Sequence, residues 1–568
     1  MQSDSKDQPV SLLEAPTELL VKILCTLHID SLFVCRKVCR RLADVVDGTT
    51  EIQYKLMLAL VGMVDGPPSN VPIIDRLAAL RAYKKVWLRA EYPIHHCTTM
   101  LRRPGELRAG GVYPSGHVDV SRGDNSLTES ILRVWRPPAP FFGLPERFLE
   151  VDLINPAHSL GPVLIVPGQR YAIDFARNLL IMTSYIQAGD PPFIACNLSN
   201  LQDPSGPHPL SSRRVWYGPI PIVTSRGVNI SANLQLLGEL VLAELLYSDG
   251  WSCAMMVWNW QTGVLVWSLA LGVGNPLQHA HQLKAYLISP SRVVVVDTVA
   301  CSIRVFQFDP SCTADASYVQ LHDCLFTLLT PPIPTSHEQL GRLQPYLTFP
   351  PTGHPDCTPH FQQDPSLTML VLHMRTALDS TPDGPFPQPS EESFVLCIPL
   401  STLLASYPSN GPPHATDEPA RSVLWEEWGP RGSRMVSLHP RAHVIATLGS
   451  RCAVVFAYRR PGTPPTPPHV YIIELLPFAQ STMAGEQVPP LAYGPTEHVD
   501  AYDMFGKRDS SCWGSVQTMY PFRITHREIE GPQTLSVAWR CAPRLALTHE
   551  GVAVLVRRFY QHSLRSCA

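Results

Sequence analysis

The chain has 568 residues, 45% of them apolar and only 16% charged, with 45 Lys and Arg against 48 Asp and Glu, a formal net charge of −3 and a pI near 6.7. That length exceeds what one hydrophobic core usually serves, so two or more domains are expected. The near-neutral balance supplies neither the basic face of a nucleic-acid binder nor a strongly acidic tail.

Residues 1–10 are polar and acidic, without the cationic start and apolar run of a secretory signal, and read as a disordered tail. Residues 11–65 read as a small helical domain. Ala15-Pro16-Thr17-Glu18 opens a first helix, with Thr17 as the cap and Glu18 at the positive end of the helix dipole. Leu20, Ile23, Leu24 and Leu27 then recur at i, i+3, i+4 and i+7, one helical face. His28-Ile29-Asp30-Ser31 breaks that helix, and Asp30 caps a second one that carries Leu32, Cys35, Cys39, Leu42 and Val46 along one stripe. A third helix starts near Thr50, with Thr50 and Gln53 at capping-box spacing, and stops between Gly62 and Gly66.

On periodicity alone this is a three-helix bundle with an ordinary core. The residue order adds something more specific. Pro16-x-Glu18, Ile23, Leu27, Leu32 and Val38-Cys39-Arg40-Arg41-Leu42 resemble the F-box, the motif by which substrate receptors join cullin-type ubiquitin ligases. One position departs from the pattern: Ala15 stands before Pro16 where the F-box usually has Leu, and Leu12 or Leu13 is placed to compensate. The resemblance implies that Pro16, Leu20, Ile23, Leu24, Leu27, Leu32, Val38 and Leu42 are the F-box positions, some forming the bundle core and the rest facing a Skp-family adaptor. So small a bundle has too little interior for all its apolar residues, and a partner would complete the remainder.

Gly66-Pro67-Pro68-Ser69 is a break, and residues 66–91 read as a linker helix from about Ile73 to Arg89. Ile73, Leu77, Leu80 and Trp87 share one face, with Arg76, Arg81, Lys84 and Lys85 outside, as in a spacer that packs the bundle against the next domain. From residue 92 to 568 short runs rich in Val, Ile, Leu, Phe and Trp alternate with polar or Pro/Gly turns, the texture of a large all-β domain. His95-His96-Cys97 falls in the turn between domains. Phe148–Ile154, Val163–Val166, Tyr171–Phe175, Leu179–Tyr185 and Phe193–Leu198 read as consecutive strands, with a tight reversal at Ala176-Arg177-Asn178.

A three-strand unit recurs. Ala285–Ile288, Arg292–Asp297 and Ser302–Phe308 form one copy, with a turn at Ser289-Pro290. Arg434–Leu438, Val444–Thr447 and Cys452–Tyr458 form another, with a turn at His439-Pro440. In Ala254 to Ser268, Val257-Trp258 ends a strand, Asn259 to Gly263 turns, and Val264 to Trp267 opens the next. This hairpin resembles the inner hairpin of a WD-repeat blade, with Asn259 replacing the usual Asp and no Gly-His pair marking the other units. The resemblance implies a degenerate β-propeller, in which radial packing leaves few sheet edges exposed; a β-sandwich pair or a β-rich irregular domain is the alternative. Proline makes up 57 residues, roughly twice the usual share. It clusters in loops around 330–360, 379–419 and 460–469. Leu535–Trp539, Arg544–Thr548 and Val552–Phe559 read as strands positioned to close the ring with the first strands after the linker helix.

The expected fold class is thus α+β multidomain: a small all-α F-box bundle and linker helix, then a large all-β domain. No run of 18 apolar residues suggests a membrane span, and 15 scattered cysteines suit reduced thiols, so a cytoplasmic or nuclear location is expected. His354, Cys357 and His360 recur at regular spacing, but no second matched pair follows, and no metal or cofactor is expected. There is no nucleophile elbow, phosphate loop or dinucleotide fingerprint, and the carboxylates are scattered. The expected function is therefore not enzymatic. The layout resembles fungal F-box proteins, which implies an adaptor joining a Skp-family protein, and through it a cullin, to an unidentified protein target, with no nucleic acid or membrane partner. A scaffold with a decayed F-box and a propeller enzyme are the alternatives. Trp216, Trp251 and Trp425 are surface candidates for a target, although Trp in a β-domain is more often core.

Overall fold

The computed structural model describes residues 12–101, 118–119, 131–152, 171–186, 193–203, 207–219, 230–247, 253–270, 283–312, 318–331, 339–350, 358–377, 391–405, 421–438, 442–456, 469–475, 522–528, 544–548 and 550–559. A 3-10 turn at Leu12–Glu14 leads into helices α1 (Thr17–Thr26), α2 (Ile29–Val38), α3 (Arg40–Gly48), α4 (Thr50–Leu60) and α5 (Ile73–Leu88). The bundle before residue 65 therefore has four helices rather than three. Cys39 adopts an extended conformation, φ −158° and ψ 161°, and splits the expected second helix. The 4-3-4 spacing of Cys35, Cys39, Leu42 and Val46 suits one continuous stripe, so periodicity alone passes over the break.

The caps also differ from expectation. Thr17 and Asp30 lie within first turns, while Pro16 and His28 occupy the cap positions without a side-chain bond. Thr49, not Thr50, precedes α4, and Gln53 donates back to the Val46 carbonyl at 2.9 Å instead of closing a capping box.

Among the described residues, seven sheets of three to five strands follow, besides a two-stranded ribbon of Met63–Asp65 with Phe361–Gln363. The first holds Val118–Asp119, Ile131–Arg136 and Arg147–Asp152; the second Tyr171–Asp174, Leu179–Ile186, Phe193–Asn200 and Val215–Pro219. The third holds Ile230–Leu237, Leu240–Tyr247, Cys253–Asn259 and Leu265–Ala270, extended in parallel by Tyr318–Val319. The fourth holds Leu283–Ser289, Arg292–Asp297, Ser302–Gln307 and Phe326–Leu329, extended in parallel by Arg421–Val423. The fifth holds Gln339–Tyr346, Met369–Ala377, Glu391–Pro399 and Arg434–Leu438; the sixth Ala442–Leu448, Arg451–Phe456, His469–Leu475 and Phe522–Glu528. The seventh joins both ends of the β region: Arg544–Leu547 and Val552–Phe559 take in Ile94–Leu101, which pairs in parallel with Val552–Phe559 over eight residues.

Two expectations are corrected here. His95-His96-Cys97 lies in that strand, not in a turn, because its pairing partner is more than 450 residues away and leaves no local signal. Arg434–Leu438 ends the fifth sheet, while Ala442–Leu448 opens the sixth, so those strands are not one unit. The turn at Ala176-Arg177-Asn178 is present: Asn178 has φ +53°, and the Asp174 carboxylate accepts from the Ala176 and Arg177 N–H groups. The Asn259 turn is built the same way, with Asn259 Oδ1 accepting from Gln261 and Thr262 and Gly263 at φ +78°. Val163–Val166, Leu535–Trp539, Trp251, His354, Cys357 and the loop at 460–468 lie outside the described residues.

Successive sheets pack face to face, so alternate residues of one strand enter two different interfaces. In Leu240–Tyr247, Val241, Ala243 and Leu245 meet the second sheet, while Leu240 and Leu242 meet the fourth. Strands buried on both faces read as continuous apolar runs instead of alternating ones, as in Val293–Val296, where all four residues are buried. Trp216 and Trp425 are buried in such interfaces and face no open surface.

Helix α5 lies in a core shared by the bundle, through Tyr54 and Leu58, and the β region. Leu77, Leu80, Tyr83 and Trp87 pack with Phe142, Phe361, Leu448, Ile472 and Val552. Beneath the helix a buried Arg451–Glu474 ion pair at 2.8 Å directs its guanidinium to the Tyr83 hydroxyl and lies 3.9 Å below the Trp87 ring. Removing one partner strands a buried charge, at a cost of roughly 3–5 kcal/mol. Glu474→Ala should lose about that much in denaturant unfolding, whereas Arg451→Met combined with Glu474→Leu should recover most of it.

Glu550 adds another buried carboxyl to this region. Burial pushes its carboxyl up to about 7 from an ordinary 4.5, against the backbone N–H groups of Phe142 and Phe141, which favour the charged form. The unfolded chain then ionises first as pH rises, so stability falls between pH 4.5 and about 7 and levels off above. Glu550→Gln should flatten this slope, gaining on wild type as pH rises through that window; a constant offset in thermal melts from pH 5 to 8 contradicts the assignment.

Candidate docking face on the N-terminal helices

The bundle sorts its apolar residues into two sets. Leu20 and Leu24 of α1, Leu32 of α2, Leu42, Val45 and Val46 of α3, and Ile52 and Leu56 of α4 form a closed core, each at most 8% exposed. Fully burying a side chain of this size stabilises by about 1.5–3 kcal/mol, so these residues hold the four helices together. Of the eight F-box positions, Leu20, Leu24, Leu32 and Leu42 therefore lie inside and present no surface. Leu27 ends α1 half-buried against the same core, and Pro16, Ile23 and Val38 are exposed.

The exposed set is larger than the sequence pattern indicated. Five of the fourteen large apolar side chains exposed among the described residues fall between Leu12 and Val38: Leu12, Leu19, Ile23, Val34 and Val38, at 42% to 65% exposure. A single exposed Leu is ordinary. Here Leu19 and Ile23 on α1, and Val34 and Val38 on α2, form two i,i+4 pairs, each lying along one helix face. Leu19 and Val34 belong to no F-box position singled out above. The signal that could have found them is their i,i+4 offset from Ile23 and Val38.

Polar contacts fix the frame that presents these pairs. Arg36 of α2 grips Asp47 of α3 with two bonds of 2.8 and 3.0 Å. Lys55 of α4 donates to the Cys25 and Leu27 carbonyls at 2.7 Å each, satisfying the open C-terminus of α1 where a cation is favoured. Burial raises the nearby Cys25 thiol above its ordinary range, which keeps it protonated. Arg41 donates to the Ala15 carbonyl at 2.8 Å, and Ala15 packs against the bundle core. The departure at position 15 thus falls on an inward-facing site, not among the exposed pairs.

No group of three His, Cys, Asp or Glu side chains among the described residues is arranged to hold a metal ion, and no described helix is long and apolar enough to cross a membrane. Of the spaced His354, Cys357 and His360, only His360 is described; its carbonyl accepts from Tyr54 and Gly66.

Comparison with known proteins adds one assignment. Residues 16–50 match the family model of the F-box domain. No curated protein matches the chain. Among solved structures, the chain is similar to one from a Saccharomyces cerevisiae complex of dbp5 with nup159, gle1, IP6 and ADP, at 8% identity over 67% of this chain and 81% of that chain, with a TM-score of 0.24. It is also similar to a eukaryotic initiation factor crystal structure, at 7% identity over 55% of this chain and 89% of that chain, with a TM-score of 0.16. At such scores neither likeness carries an argument. The chain therefore contains an F-box domain at residues 16–50, a class of domain that generally binds Skp-type adaptors and so reaches cullin ligase complexes.

Proposed function

We propose that this protein is the substrate-receptor subunit of a Skp–cullin–F-box ubiquitin ligase, acting in the cytoplasm or nucleus and making no bonds itself. The supporting observation is the exposed apolar set Leu12, Leu19, Ile23, Val34 and Val38 on a bundle whose own core is already closed. Apolar surface that the fold does not use internally marks a protein partner, and the F-box match supplies the adaptor class. The β region would bind the target, raising its effective concentration beside the ubiquitin-charged enzyme.

We further propose that the seven sheets are blades of a degenerate propeller. The second to sixth each pack on both neighbours through opposite faces, and the seventh combines strands from both ends of the region, in keeping with a radial arrangement. Loops at the ends of such blades are where targets are read.

Co-purification with a Skp-family adaptor tests the main reading. Wild type should bind stoichiometrically, and Ile23→Asp or Val38→Asp should bind at least tenfold more weakly while melting within a few degrees of wild type. Leu32→Ala should instead lose about 2–5 kcal/mol of stability through a core cavity. A folded wild type that captures no adaptor means the F-box is decayed and the chain is a scaffold.

A further inference from the structure

The Gly-Pro break after α4 invites the expectation of a hinge, but the chain there is pinned from four sides. Met63–Asp65 pairs antiparallel with Phe361–Gln363 of the β region, in the register Met63 with Gln363, Val64 with Gln362 and Asp65 with Phe361. Flanking bonds lengthen this ribbon: Asp364 N–H donates to Gly62 O at 3.0 Å, and Gly66 N–H to His360 O at 3.3 Å. Tyr54, a buried residue of α4, directs its hydroxyl at Asp65 Oδ1 (2.8 Å) and at His360 O (3.1 Å). Arg76 of α5 donates to the same Asp65 oxygen at 2.6 Å, and its guanidinium lies 5.2 Å over the Tyr54 ring. Three side chains thus tie α4, the ribbon, α5 and the β region together at one point.

We propose that Tyr54, Asp65 and Arg76 are positioning residues that hold the docking face in one orientation relative to the β region. This rests on the reading of that face as the adaptor site. A receptor works by proximity, and a hinge would spread a bound target over many positions relative to the adaptor. Asp65 is half-exposed, so its ion pair adds little to stability. What the cluster supplies is direction: the Tyr54 hydroxyl and the Arg76 guanidinium converge on one carboxylate oxygen, and that oxygen stays in reach of both only while the ribbon is formed.

The test uses the full chain, with Asp65→Ala and Gly66→Ala as separate variants. A Cβ at Gly66 would stand 2.0 Å from the Pro359 carbonyl oxygen, so one methyl must push the ribbon strands apart. Two readouts are taken without adaptor: amide exchange across Met63–Asp65 and Phe361–Gln363, and the distance distribution between labels at exposed Asp44 and exposed Glu239. Wild type should give one narrow distribution. Both variants should exchange at least tenfold faster in the ribbon and give broadened distances, with a melting temperature near that of wild type, a split that a merely stabilising contact would not produce. A distribution already broad in wild type, or unchanged in Asp65→Ala, overturns the inference. Should Gly66→Ala fail to fold, Tyr54→Phe, which deletes one hydroxyl, takes its place. Adaptor capture in the same preparations is a separate arm, in which failure by wild type defeats the reading of the docking face and leaves the distance result to decide the orientation.

Discussion

The arrangement depends on how α5 is seated. A buried Arg451–Glu474 pair would be an expensive feature in a plain apolar core, because both charges leave water. Here the remaining capacity of the guanidinium is taken up by the Tyr83 hydroxyl and the face of the Trp87 ring, both supplied by the helix. Helix and sheet therefore complete one another: the pair needs aromatic partners from α5, and α5 needs an apolar floor from the sixth and seventh sheets. With the helix seated, Tyr92 stacks on Trp87 at 4.8 Å, and the chain enters the strand at Ile94 beside Val552. The close approach leaves no room for a side chain at Gly551, whose Cβ would meet the Pro93 carbonyl oxygen at 2.0 Å. One helix thus connects the N-terminal bundle, the junction ribbon and the strand that joins both ends of the β region.

The bundle shows how the same chemistry serves two ends. Leu24 and Ile23 are adjacent in sequence and similar in hydrophobicity, yet one is buried and the other exposed. The angular step along a helix decides between them once neighbouring helices are placed. The extended residue Cys39 does that placing, because it lets α3 turn Leu42, Val45 and Val46 onto the core begun by Leu20, Leu24 and Leu32. That core then closes without Leu19, Val34 and Val38, which stay exposed.

Much was legible in the sequence. The order of Pro16, Ile23, Leu27, Leu32 and Leu42 carried the F-box, because helical periodicity and a few spaced residue types are local properties. Strands such as Arg292–Asp297 and Val552–Phe559 were legible for the same reason: β-branched runs between turn residues define a strand wherever it pairs. The turns at Asp174 and Asn259 arise from side chains that bond backbone two and three residues ahead.

Tertiary structure alone decided the rest, and the reason is separation along the chain. Nothing near His95 indicates a partner strand at Val552–Phe559, and nothing near Met63 indicates Phe361. No local pattern separates Arg434–Leu438 from the strands of the next sheet. The break at Cys39 is hidden because its flanking residues keep the spacing of one helix. Which apolar residues of the bundle stay exposed is likewise a matter of where four helices meet. By itself the sequence determined the class of the N-terminal domain and the β character of the remainder; long-range packing decided which surfaces those elements leave exposed.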